Sequence, residues 1–87
     1  LKNYEKAEDF LQKSLELRIK AGSPDDLSIS YYNLAIVYRD TKKFDRAEEL
    51  LHKSREILTR TGSKPFFALT EEMLKEVAFE RIRQGGN

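Results

Sequence analysis

The chain predicts an all-α fold of stacked antiparallel helical hairpins, and three observations carry that prediction. The stretch from Tyr4 to Ser23 returns as Phe44 to Ser63, so the sequence copies itself at a fixed spacing of forty residues. Identical pairs include Ala7/Ala47, Glu8/Glu48, Leu11/Leu51, Ser14/Ser54 and Gly22/Gly62. A period of this length marks units that bury an apolar face only by stacking on a neighbour. Apolar residues also recur at three- and four-residue steps, the helical spacing. Finally, Gly22 with Pro24 and Gly62 with Pro65 break the chain at matching places.

Four helical segments follow in order. The first runs from about Asn3 to Ala21, with Ala7, Phe10, Leu11, Ser14, Leu17 and Arg18 recurring at helical steps. Gly22 then supplies a residue that tolerates positive φ at a helix end. Ser23-Pro24-Asp25-Asp26 reads as a helix start: a hydroxyl to cap a free N–H, a proline for the first turn, and acids beside the positive end of the dipole. The second helix carries Leu27, Tyr31, Leu34, Ala35 and Tyr38 on one side and ends near Asp40 or Thr41. Thr41-Lys42-Lys43 is so short that the third helix, Phe44 to about Arg60, must return antiparallel. The fourth extends from about Pro65 to Gln84, and Gly85-Gly86 ends it. Acid-before-base pairs at four-residue spacing (Asp9/Lys13, Glu16/Lys20, Glu49/Lys53, Glu56/Arg60, Glu71/Lys75) are expected to support the helices by tenths of a kcal/mol each.

Composition narrows the function. Eighty-seven residues with 36% charged and 39% hydrophobic side chains suit one small helical domain. Net charge is +1 with both signs interspersed, and no basic stripe of the kind expected of a nucleic-acid binder is visible. No apolar run reaches the roughly 18 residues of a membrane span, and no secretory leader is evident. The chain has no Cys, which removes disulfides and thiolate metal sites and fits a reducing compartment. It opens at Leu1 in mid-unit, so it is expected to be a fragment of a longer array.

The unit from Ser28 to Ser63 resembles a tetratricopeptide repeat. Tyr31, Leu34, Ala35 and Tyr38 stand where that motif wants a bulky residue, Leu, a small residue and an aromatic. Phe44, Ala47, Leu51 and Ser54 match its second helix. Small residues at Ala35 and Ala47 let two helices approach, and large ones fill the grooves beside them. Tyr4, Ala7, Leu11 and Ser14 match the second half of a preceding unit. A standard unit has about 34 residues; the longer unit here looks like the repeats of kinesin light chain and related scaffolds. Lys2 and Lys42 sit where a turn Gly is common, so a non-Gly residue is expected in a left-handed conformation. Thr59 replaces the usual terminating Pro.

The resemblance implies a right-handed α–α superhelix. The expected divisions are 1–22 for the second helix of a truncated repeat, 24–62 for a full repeat and 64–84 for a capping helix. In the capping segment Tyr31 becomes Glu71 and Ala35 becomes Lys75, and a buried ammonium at a close crossing is costly. Phe66, Phe67, Leu74 and Val77 are expected to cover the last repeat, with the far side in solvent.

The implied function is non-enzymatic binding of a partner protein or extended peptide along the concave face. Ile29, Tyr32, Asn33, Ile36 and Arg39 would line it, with Glu72 and Glu76 on the capping helix. In scaffolds of this kind an Asn before the motif Leu often pairs with a ligand backbone, which Asn33 would do; otherwise it bonds its own helix or water. Tyr32 and Ile36 give that face an apolar lining, or else pack on an adjacent helix. Arg39 would anchor an acidic group or, more simply, pair with Asp40 or Asp45. Glu72, Glu76 and Glu80 would meet a basic ligand, or form a solvated face eased by Lys75 and Arg83. His52, the single histidine, is expected at the surface. Neither catalytic residues, metal nor cofactor is expected, and the location is read as intracellular and cytoplasmic. Two rival roles stay open: homo-oligomer formation through Ala7, Phe10, Leu11 and Ser14 of the first helix, and a regulatory or localising segment of a larger enzyme.

Overall fold

The computed structural model describes residues 4–22 and 24–85, the side chains of Tyr4 and Ala21 excepted. Helices α1 (Tyr4–Ala21), α2 (Pro24–Asp40), α3 (Phe44–Thr61) and α4 (Lys64–Gly85) follow one another, each packed chiefly on its chain neighbour. The expected segments are all present, and Gly85 joins α4 as its last residue rather than ending it from outside. Expectations for Lys2, Ser23 and Gly86, and for the packing of Tyr4, lie outside the described residues.

Turn chemistry explains the helix ends. Gly22 and Gly62 both take φ of 79°, and the Gly62 N–H donates to the Leu58 carbonyl at 2.9 Å. Lys42 has φ of 66° without being glycine. Around it the Lys43 N–H reaches back to the Tyr38 carbonyl at 2.8 Å, and the Thr41 hydroxyl donates to the Val37 carbonyl at 3.0 Å. These bonds satisfy carbonyls that the end of α2 would leave free, and they hold the strained residue in place.

The core is a single cluster drawn from all four helices: Leu15, then Leu34, Ala35 and Tyr38, then Phe44, Ala47 and Leu51, then Met73, Leu74 and Val77. Ala35 and Ala47 are both fully buried. Beside them the Ser54 hydroxyl donates to the Ser28 carbonyl at 3.0 Å, a bond that needs the α2 and α3 backbones close together.

Several expectations need correction. On α1 the buried residue is Leu15; of the expected oligomer face Phe10 is 70% exposed but Ala7, Leu11 and Ser14 are half-buried, and Leu17 is 67% exposed. Leu11 and Leu15 form the line that meets α2; Phe10 and Leu17 share another face, because helical residues seven apart align and those two or five apart diverge. On α4, Thr70 and Met73 join Leu74 and Val77 in the interior, while Phe66 and Phe67 are only half-buried. The far side of α4 carries exposed Lys75 but also exposed Phe79 and Ile82, so it is less polar than expected. None of the expected four-residue acid–base pairs closes to 4.0 Å among the described residues. Acids bridge helices instead: Glu71 meets Arg55 at 3.3 Å, and Glu48 meets Arg81 at 2.6 Å. Exposed charges gain so little from any one partner that neighbouring helices readily redirect them.

The forty-residue copy carries over shape but not every polar bond. Ser30 is buried, donates to the Asp26 carbonyl at 3.0 Å and accepts from the Arg18 guanidinium. Its counterpart Thr70 is fully buried with no partner for its hydroxyl; Leu58 stands forty residues after Arg18, so the guanidinium contact has no equivalent there. Similarly, the Tyr38 hydroxyl donates to Glu8 at 2.8 Å and accepts from Gln12 at 3.0 Å. Its counterpart is Ala78, so Glu48 turns to Arg81.

Two predictions follow from these polar groups. Thr70→Val removes an unpaired buried hydroxyl and is expected to raise the unfolding free energy by about 1 kcal/mol, read as a higher urea midpoint at unchanged slope. Burial, reinforced by the hydrogen bond to Glu8, raises the Tyr38 pKa above its ordinary 10.0. The neutral phenol is thus favoured in the folded state, and its stabilisation is complete below pH 10.0 and lost as pH rises through the folded-state value. Tyr38→Phe is expected to flatten that alkaline loss in urea titrations from pH 8 to 11, relative to wild type.

Candidate functional site

Helix α2 is hemmed by α1 and α3 on its Leu34 and Ala35 sides and leaves one long face uncovered by them. Ile29, Tyr32, Asn33 and Ile36 fall on that face because they recur at three- and four-residue steps. Ile29, Tyr32 and Ile36 are half-buried and Asn33 is exposed. The Asn33 amide has no hydrogen-bond partner among the described residues. A side-chain amide left in this state keeps both a donor and an acceptor available.

Helix α4 lies beside the same face. Tyr32 shares a depression of about 410 Å³ with Glu72 and Glu76, and Leu69, Met73, Lys75 and Phe79 complete its wall. Arg39 bridges the two helices. Its guanidinium pairs with Asp40 at 3.2 Å and Glu76 at 3.6 Å, and donates to the Met73 sulfur at 3.2 Å. The expected pairing with Asp40 is therefore present, whereas Asp45 approaches Arg81 at 3.9 Å. With its charge shared between two carboxylates, Arg39 acts first as a brace between α2 and α4. Glu80 pairs with Arg83 at 2.7 Å.

Of the expected site residues, the structure brings Tyr32, Glu72 and Glu76 into one depression, with Arg39 linked to it through Glu76 and Met73. Ile29, Asn33 and Ile36 share the α2 face but lie outside that depression. Met73, Phe79 and Leu69 are lining residues that sequence reasoning did not assign to the site. For Leu69 a signal existed, since it overlays Ile29 at the forty-residue shift. For Met73 the same overlay points to exposed Asn33 and misleads, because Met73 is 7% exposed where Arg39 covers it. His52 is at the surface, its ring 3.4 Å from Arg55, and no group of three potential metal ligands occurs among the described residues. No described helix is long and apolar enough to cross a membrane.

Helices paired by small residues, repeated at a fixed spacing and lined up face by face, define a helical-repeat protein. Comparison with family models sharpens the class: residues 1–60 match the tetratricopeptide repeat. The chain belongs to the tetratricopeptide repeat family, whose members generally mediate protein–protein interactions. The match ends before α4 begins. Neither the search of curated proteins nor that of solved structures gave a match.

Proposed function

We propose that this chain is a binding module, without catalytic role, that holds an extended segment of a partner protein along the face formed by α2 and α4. The observation that carries the reading is Asn33: an exposed amide with no internal partner, on the same face as the apolar Tyr32 and Ile36. An extended peptide has unpaired N–H and C=O groups, and one amide can meet both. Glu72 and Glu76 border the adjoining depression and favour a ligand with a basic side chain there. In this reading α1 is the second helix of one repeat, α2 with α3 forms a complete one, and α4 covers its end. A reducing, cytoplasmic setting suits a chain without Cys.

The test is Asn33→Ala in affinity capture of partners, paired with thermal melting. Partner recovery is expected to fall about tenfold, the scale of one lost hydrogen-bonded contact. The melting temperature should stay within about 2 °C, since the amide makes no internal bond. A large melting loss would instead make Asn33 structural and remove the reading.

Self-association is favoured by a separate observation. Phe10 and Leu17, 70% and 67% exposed, lie seven residues apart on one face of α1. Burial of such a stripe against a second copy is the ordinary remedy. Sedimentation over a concentration series should show a dimer that Phe10→Asp abolishes; a monomer at every concentration eliminates this role.

A further inference from the structure

A second trough runs along α3, lying between α1 and α3 over α2 in one part and between α2 and α3 beside Gly22 in the other. Two depressions, of about 640 Å³ and 420 Å³, share Tyr31 and Lys53 and so run together along α3. None of the α2–α4 face residues lines either of them. Near the Tyr38 end of the trough, Glu8 pairs with Lys43 at 3.8 Å and accepts from the Tyr38 hydroxyl. Its lining is apolar to a useful degree: Ile19 is 52% exposed, and Leu27, Tyr31 and Leu50 are half-buried.

Along its α3 wall the sequence alternates charge and grease. Arg46, Leu50, Lys53, Ile57 and Arg60 follow at steps of four and three, which places them in one line on the helix. Arg46 and Lys53 stand over the Tyr38 and Tyr31 rings, each 5.8 Å from the ring centroid. Among the described residues neither they nor Arg60 has a carboxylate within 4.0 Å. The lining also includes Glu49 and Glu56, so three cations face two acids and the balance is positive.

We propose that this trough seats an amphipathic helix from a partner protein, one that carries an apolar stripe flanked by carboxylates repeating every seven residues. Charge complementarity chooses the sign: cations without a carboxylate partner, over the buried Tyr38 and half-buried Tyr31 rings, gain most from incoming acids. Spacing chooses the period, since Arg46, Lys53 and Arg60 recur every seven residues, about 10.5 Å along the axis. The walls choose the helix. Away from the helix ends, the backbone groups of α1, α2 and α3 are already paired within their own helices, and the one side-chain amide of the lining, Gln12, already donates to the Tyr38 hydroxyl at 3.0 Å, so an extended strand would find few partners for its amides. A helix satisfies its own backbone and needs only side-chain contacts. The site is independent of the α2–α4 face.

The experiment uses fluorescence anisotropy with the 87-residue chain and a synthetic helical peptide of about 20 residues, the length that spans Arg46 to Arg60 with a turn to spare at each end. The peptide has Leu at helical steps and Glu at seven-residue spacing. Controls replace those Glu by Lys, or break the acidic helix with a central Pro. The acidic helix is expected to bind in the micromolar range and both controls at least tenfold more weakly, while Lys53→Glu with Arg60→Glu reduces affinity at least tenfold. Lys53→Gln with Arg60→Gln should fall between, and Asn33→Ala should leave affinity within about twofold. Far-UV circular dichroism confirms that each variant keeps its helix content. Absence of binding at millimolar peptide, equal binding of either control, indifference to the charge reversal, or dependence on Asn33 would each overturn the proposal.

Discussion

The close approach of α2 and α3 is the constraint on which the rest of the molecule depends. Ala35 and Ala47 are fully buried, and the Ser54 hydroxyl reaches the Ser28 carbonyl at 3.0 Å. Only small side chains permit that spacing, and overpacking a crossing of this kind typically costs about 1–3 kcal/mol. With α2 and α3 fixed, α1 packs chiefly on α2 and α4 chiefly on α3, with Arg39 of α2 reaching across to Met73 and Glu76. Leu15 enters the cluster from one end, and Met73, Leu74 and Val77 enter it from the other.

Repetition of the backbone arrangement does not require repetition of the polar bonds. Glu8 and Glu48 occupy equivalent places, yet the first serves Tyr38 and Lys43 while the second serves Arg81 and lies near no phenol. Ser30 keeps two partners where Thr70 has none. Apolar packing tolerates such exchanges because it depends on volume and area, whereas a hydrogen bond depends on one atom being present at one point. The stack is therefore held by its apolar register, with the polar contacts adjusted unit by unit.

Two surfaces follow from this arrangement. Between α2 and α4, Arg39 ties the helices through Glu76 and Met73 and leaves Tyr32 beside an acidic rim. Between α1 and α3, basic residues of α3 lie over aromatic rings of α2 and line a trough of mixed polar and apolar character. The first carries the exposed, unpaired amide of Asn33; in the second the Gln12 amide is already bonded to Tyr38, and the α3 cations of its lining are, among the described residues, the groups without carboxylate partners.

The sequence by itself determined the number, order and ends of the helices, because those follow from local chemistry. Gly22 and Gly62 take positive φ as their positions demand, and Lys42 does so at a place where glycine is common. The small-residue crossing at Ala35 and Ala47 was equally legible, since periodicity marks a buried face. What only the tertiary structure decided was which of two apolar lines on α1 is buried, and which partner each surface charge takes. Leu15, which the spacing read from the sequence did not include, is in the core, while Phe10 and Leu17, which it did include, are in water. Glu71 joins Arg55 rather than Lys75 four residues on. For the candidate site, the α2 face could be read from spacing, but the burial of Met73 under Arg39 could not. Each of these outcomes depends on a neighbouring helix lying across the residue, and a helix's own periodicity holds no record of what packs against it.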